Sequence, residues 1–552
     1  MSGYPQSGGN SESRGTVPRP CGITVLIVVD GLIGFGERDF SIVELIATLR
    51  SSVIPWIEFD VRLAHRSKDQ DETFPQDQYM PCFKFTEALL SGVDEVWFFG
   101  FASEGDHLAL DDAELQLVSR FMEEGGVFAA GDHEDLGNAL CARIPRVRSM
   151  RKWFWPLGGP NGEPVAPVGR GRPGHPEEAT TRHDTLREGS DTGYQFDDQS
   201  DSTPQEIEPR IYKRRGLPKR SYTHPLLCGP KSAIVDFPDH AHEGECYVDD
   251  DLTKELCFGG FTTVEYPTVG TNRHAPEVIA WATVIGGHPT SGVCVDGVMV
   301  EPDLPPVKPK KFGLLGAYDG HRVGIGRVVV DSSFHHFFRI NLLGTSSGLT
   351  AEKMKGFKAT CAGEEVLEGI KSYYRNIGLW IAGPERQLQI VDSALWWAAS
   401  QDELLQCATG NNRGPEALRQ TGQVTRAVLG RIVSLDLVDA MAVLALKSLS
   451  NSHGLGRFFR FLDPWQDEAG YSGEEQLPES DALIEFVLGG AVEELAKTST
   501  AKGRLETEPV LYSLRRSVLA GAEMGLLLFL AHLENQHRRI ELFLRSAKDV
   551  DV

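Results

Sequence analysis

Three clusters of histidine and carboxylate carry the residue types of a reactive centre. The first lies in GVFAAGDHEDLG, residues 126–137, where an apolar run gives way to Asp132, His133, Glu134 and Asp135. A neutral imidazole there can act as general base or metal ligand, with carboxylates beside it to orient or move a proton. The run has the form of a strand-turn-helix elbow, which lifts its middle residue, His133, above a sheet. The plainer reading makes the same acids a helix cap that complements the dipole. The second cluster is FPDHAHEGE, residues 237–245. On an extended segment His240 and His242 share one face. With Glu245 close by, they form the start of a site for Zn, Mn or Fe, although an exposed polar loop explains them equally well. The third is DSSFHH, residues 331–336, which puts Asp331, His335 and His336 just after an apolar strand. One of these two imidazoles is expected to face a cleft and the other to pack. Arg327, upstream, either pairs with a carboxylate or lies on the surface.

These clusters converge only if the elements before them form one sheet. Residues 23–29 (ITVLIVV) are a continuous β-branched run that ends at Asp30, as expected of a strand covered on both faces. Helical spacing follows over 40–51, a strand over 56–64 and a helix over 83–90. A strand is predicted over 94–99, a helix over 110–124 and a strand over 126–130. Such alternation predicts an α/β fold with a doubly wound, flavodoxin-like parallel sheet, whose ligands bind beyond the carboxyl ends of the strands. Asp30, Glu104, Asp132 and Asp331 all fall at such ends. A loop-rich stretch over 156–222 breaks the pattern and reads as an inserted, partly ordered flap. Strand-like runs resume at 233–237, 256–264 and 327–331, and 278–285 is ambiguous between strand and helix. From about residue 386 to 552 the periodicity is helical, with loops near 410–414 and 463–480. The expected organisation is therefore a polar tail over 1–21, an α/β domain over 22–385 and a helical module over 386–552.

Composition narrows the partners. The formal net charge of −23 disfavours nucleic acid and would attract cations. Nine cysteines without a CxxC pair suit a reducing, cytoplasmic setting. The first twenty residues lack the apolar core of a signal peptide. The apolar stretch over 517–533 carries Glu523, falls short of a membrane span and reads as a buried helix. Neither a dinucleotide fingerprint nor a phosphate-binding GxxxxGK[ST] loop is present, which disfavours NAD and ATP. GTSSG, residues 344–348, fits GxSxG as a string and would make Ser346 a nucleophile, but a flexible loop explains it more simply.

With GGVFAAGDHE, THPLLCGP, VDFPDHAHEGECY and GHRVGIGRVVVDSSFHHF in hand, the chain resembles the class I glutamine amidotransferase-like superfamily, and within it the ThuA-like (trehalose-utilisation-like) group. The resemblance covers roughly residues 22–385; the helical part is not included. It implies a carbohydrate-linked activity. In true glutamine amidotransferases the elbow residue is a nucleophilic cysteine, and here that position is His133, so glutaminase activity is not expected. Cys141 lies too far along to replace it.

The expectation is thus an enzyme, hydrolase- or isomerase-like, acting on a small polar substrate. Its catalytic candidates are His133, Asp132, Glu134, His335 and His336, and its substrate-binding candidates are Asp30, Glu104, Arg327 and Asp331. A divalent metal is the candidate cofactor, on His133, His240, His242 and Glu245. The alternative is a non-catalytic ligand-binding or scaffold protein whose 386–552 module takes a protein partner.

Overall fold

A computed structural model of the chain describes residues 20–51, 53–67, 74–100, 109–131, 140–141, 143–152, 204–213, 220–238, 245–284, 293–295, 298–300, 310–345, 355–402, 404, 414–453, 479–501 and 509–548. It is a mixed α/β protein with a large central sheet and a C-terminal helical region. The sheet has eleven strands. In chain order they are β1 (Cys21–Val29), β2 (Ile57–His65), β3 (Glu95–Gly100), β4 (Gly126–Gly131), β5 (Arg151–Lys152), β6 (Gln205–Pro209), β7 (Asp236–Phe237), β8 (Glu245–Cys246), β9 (Glu277–Val284), β10 (Lys310–Tyr318) and β11 (Val328–Asp331). The spatial order along the main path is β2-β1-β3-β4-β11-β10-β9-β6-β7. Every neighbour from β2 to β11 is parallel; every pairing from β11 onward, including β8 against β10, is antiparallel.

The parallel half follows directly from its residues. Ile23, Val25, Ile27 and Val29 point to one apolar cluster and Leu26 and Val28 to the other, so β1 has no face for a polar side chain. Helix α1 (Val43–Arg50) covers the first face. On the second lie α2 (Glu87–Leu90), α3 (Asp112–Phe121) and α4 (Val147–Met150). Helix α3 starts with a full capping box between Asp111 and Glu114. The Glu114 carboxylate also takes a bidentate contact from buried Arg66, at 2.5 and 2.9 Å, which ties the end of β2 to this helix.

The antiparallel half corrects the reading of the insertion. Gln205–Pro209, inside the stretch expected as a flap, is a strand hydrogen-bonded to β9, and Ile207, Tyr212 and Tyr222 are buried. The described part of 278–285, up to Val284, is strand. Sequence patterning missed β10 because KKFGLLGAY spends two positions on glycine. A Cβ on Gly313 would overlap the Cys246 carbonyl, so glycine lets β8 cross closely against this strand. The run over 256–264 is a separate hairpin, turning at Gly259 and Gly260, both with positive φ.

The helical region holds α5 (Arg339–Leu343), α6 (Cys361–Ile381), α7 (Pro384–Ala399), α8 (Pro415–Gly430), α9 (Leu435–His453), α10 (Ser480–Ala501) and α11 (Pro509–Lys548). One apolar cluster runs from β1 through α6 and α7 to Val518, so it crosses the boundary expected at 385, which falls in the first turn of α7. Trp56 before β2 meets Trp397 of α7 at 5.1 Å. Helices α10 and α11 touch backbone to backbone: a Cβ on Gly521 would overlap the Gly490 carbonyl, and one on Gly525 the Phe486 carbonyl. In α11 Val518, Ala522, Leu526 and Phe529 are buried but Met524 and Leu527 are exposed, so 517–533 buries one face only and not the whole helix that was expected. Yet Tyr512–Arg545 does reach the length and apolarity of a membrane span, with mean hydropathy 1.4 over its best window, of which 33% is buried in the fold.

Candidate functional site

Among the described residues, two of the expected ones, Asp30 and Asp331, lie at the carboxyl ends of parallel strands. Asp30 follows β1 and is fully buried. Arg151 in β5 is also buried, and its guanidinium donates to the Gly131 carbonyl at the end of β4 (2.9 Å) and to the Ser332 carbonyl just past β11 (3.0 Å). It therefore spans two strand ends. Cys141 is buried nearby, with its thiol directed at the Ala130 carbonyl. Burial pushes the Cys141 thiol well up; the Asp30 carboxylate adds to that and Arg151 opposes it. Such a thiol is a poor nucleophile, which agrees with the reading that Cys141 does not stand in for an elbow cysteine.

Asp331 and His336 meet, but beneath the surface. His336 Nε2 lies 2.7 Å from Asp331 Oδ2, and neither side chain is exposed. The Tyr373 hydroxyl of α6 donates to the same oxygen at 2.9 Å, and the Ser333 backbone N–H to Oδ1 at 3.0 Å. Burial, then the adjacent Asp331 carboxylate, hold the Tyr373 phenol well above its usual range. Phe237, Phe337 and Tyr373 pack around the imidazole ring. His335 is buried too, its ring against Phe334. The expected division of labour, one histidine to a cleft and one to packing, is corrected: among the described residues both are packed. The reason is local. Residues 335–337 form a tight turn directly under α6, and its aromatic neighbours enclose the rings.

Arg327 pairs with a carboxylate, the first of the two readings given for it, but it lies apart from the other strand-end candidates. It precedes β11, at the amino ends of the parallel strands, whereas Asp331 closes the same strand at the other end. At about 3.3 Å per residue the two ends of this strand are on the order of 13 Å apart. Arg327 instead donates to Asp319 Oδ1 at 2.6 Å and to the Trp380 carbonyl at 2.8 Å.

Glu104, Asp132, His133, Glu134, His240 and His242 lie outside the described residues, as does the side chain of Glu245. The expected metal set falls there; among the described residues no group of three or more His, Cys, Asp or Glu could hold a metal ion. Sequence reasoning missed Arg151 and Tyr373. Arg151 sits in RKW before the loop-rich stretch, and Tyr373 in an amphipathic helix, where nothing local marks either as polar partners of a strand end.

Comparison of the chain with family models, with curated proteins and with solved structures finds no match to any of the three.

Proposed function

We propose that the chain is an enzyme of the glutamine amidotransferase-like, ThuA-like kind that lacks a thiolate nucleophile and acts on a small polar, carbohydrate-derived substrate at the carboxyl ends of the parallel strands. The observation that carries this reading is that buried Asp30 and buried Arg151 both lie at those ends, each near enough to Cys141 to act on its thiol. A carboxylate and a guanidinium taken out of water cost several kcal/mol each, on the order of the stability of a whole domain, and such charges concentrate where chemistry or recognition uses them. The order β2-β1-β3-β4-β11, with helices on both faces, supports a flavodoxin-like doubly wound arrangement. Its order reverses between β1 and β3, the place where ligands bind in such sheets. In this reading Asp30 and Glu104 bind substrate, and His133, with Asp132 and Glu134, moves the proton. Asp331 and His336 act from below as positioning residues that hold the turn after β11. A divalent metal on His133, His240, His242 and Glu245 and a cytoplasmic location belong to the same reading.

The test is a panel of sugars, sugar acids and sugar phosphates incubated with the full chain and analysed for product by mass spectrometry. Metal analysis of the same preparation accompanies it. Turnover of a panel member, lost in Asp30→Asn and in His133→Ala while both variants stay folded, supports the reading. Turnover unchanged in both variants, or none with any panel member, counts against it.

A second reading, a scaffold whose helical module takes a protein partner, has one observation in its favour. Ile540, Leu542, Phe543 and Leu544 at the end of α11 are each more than half exposed. It predicts that Leu542→Asp with Phe543→Asp abolishes capture of a specific partner while leaving substrate turnover intact.

A further inference from the structure

A cleft of about 150 Å³ opens at the amino ends of the parallel strands, between the sheet and helices α6, α7 and α9. It is remote from the carboxyl-end site, on the far end of β11. One wall is apolar, from Leu379, Ile390, Leu437, Met441 and Leu444. The other is charged. Three cations line it, Arg322, Arg327 and Lys447, against two carboxylates, Glu277 and Asp319.

The carboxylates are already committed. Glu277 faces Arg210 at 3.3 Å. Asp319 serves two arginines at once, Arg327 Nε at 2.6 Å on Oδ1 and Arg322 Nε at 3.0 Å on Oδ2. Burial by itself would raise Asp319, but Arg327 and Arg322 overcome it and hold its carboxyl well below the usual carboxylate range. One negative charge is thus shared by two guanidiniums.

Arg327 is the best-held of these groups. Its guanidinium lies 4.5 Å from the Trp380 ring centre, is anchored through Nε by Asp319 and gives one Nη1 hydrogen to the Trp380 carbonyl. The Nη1/Nη2 edge keeps its remaining hydrogens with no acceptor among the described residues, in a side chain that lines the cleft. A planar fork held in this way fits a carboxylate bidentately, and little side-chain entropy remains to be lost on binding. His224 lines the same wall. Its Nδ1 accepts from the Leu226 N–H, so the ring proton sits on Nε2 and adds a neutral donor.

We propose that this cleft binds an amphiphilic organic anion, a carboxylate on an apolar body, with the head on Arg327 and the body against α7 and α9. Occupancy would bridge the sheet to the helical region, since the head and body sites come from the two sides.

The probe is octanoate, titrated calorimetrically into the full chain beside octanamide and acetate. The expected result is that octanoate binds, that octanamide and acetate are each at least about tenfold weaker, and that Arg327→Met and Leu444→Trp each lower octanoate affinity by about tenfold or more. Leu444→Trp fills the apolar wall without touching the charges, so it carries the test should Arg327→Met fail to fold. Octanoate giving no binding heat, or octanamide binding as tightly as octanoate, overturns the proposal. Asp30→Asn should leave octanoate affinity unchanged, which separates this site from the carboxyl-end one.

Discussion

The imidazole of His336 and the carboxylate of Asp331 lie 2.7 Å apart with no solvent on either. A third group, the Tyr373 hydroxyl, closes the set from α6. The contact ties the end of β11 to the turn that follows and to the helix above. It fixes backbone at the end of β11, and nothing in it reaches a cleft among the described residues.

Removing one member of this set should therefore cost stability before it costs chemistry. Asp331→Asn weakens a buried charge-bearing pair and should destabilise the fold by about 3 kcal/mol. Tyr373→Phe, which removes one donor, should cost about 1 kcal/mol. Urea unfolding of the two variants checks both. An Asp331→Asn midpoint equal to wild type would show that the pair contributes nothing to the fold.

Two buried titratable groups should bend the pH profile in opposite directions. Burial, then the charge of Arg327, push His224 down to about 3. The unfolded histidine takes up a proton below about 6.5 and the folded one does not, so stability falls as pH drops from there, by up to about 1.4 kcal/mol per unit. His224→Asn keeps an acceptor for the Leu226 N–H and should flatten that slope. Glu95 is raised by burial, against a hydrogen bond from Trp97 Nε1 at 2.9 Å. Its unfolded carboxyl ionises above about 4.5 while the folded one keeps its proton, so stability falls as pH rises from there. Glu95→Gln retains the acceptor for Trp97 and should stabilise the protein at neutral pH. Urea midpoints across this range, for wild type and each variant, check the two signs.

Thiol reactivity should follow burial and not position near the elbow. Cys82, Cys257 and Cys361 are exposed, whereas Cys141, Cys228 and Cys246 are buried. Iodoacetamide on the native protein should modify the first three rapidly and leave Cys141 untouched until the protein unfolds. Rapid native labelling of Cys141, read by peptide mass spectrometry, would restore it as a nucleophile.

The close approach of α10 and α11 depends on the missing side chain at Gly521. Gly521→Ala should force the helices apart and cost about 1–3 kcal/mol by overpacking, despite the better helix propensity of alanine. Thermal unfolding with a helix-sensitive probe measures this. An unchanged or higher midpoint would mean that the helices do not touch as described.

The parallel half of the sheet was legible because each strand announces itself: ITVLIVV needs cover on both faces, and the helices between supply it. The antiparallel half was not. Its strand β10 carries a glycine, Gly313, demanded by a neighbour far away in sequence, Cys246, and β6 is embedded in loop-like composition. The site was legible only as positions at strand ends. Asp30 could be read because a strand ends on it. Arg327 precedes RVVVD's apolar core, so the chain direction already places it at the amino end of the strand, away from the carboxyl-end positions. Arg151 could not be read at all, since its two carbonyl partners come from strands joined by tertiary folding alone.

The measurement that bears most directly on the account is a crystal structure of the full chain soaked with the sugar that binds it most tightly. The account expects ligand density at the carboxyl ends of β1, β3 and β4, within hydrogen-bond distance of Asp30. Ligand held elsewhere on the protein, with Asp30 sealed beneath packed side chains in the bound state, would contradict it.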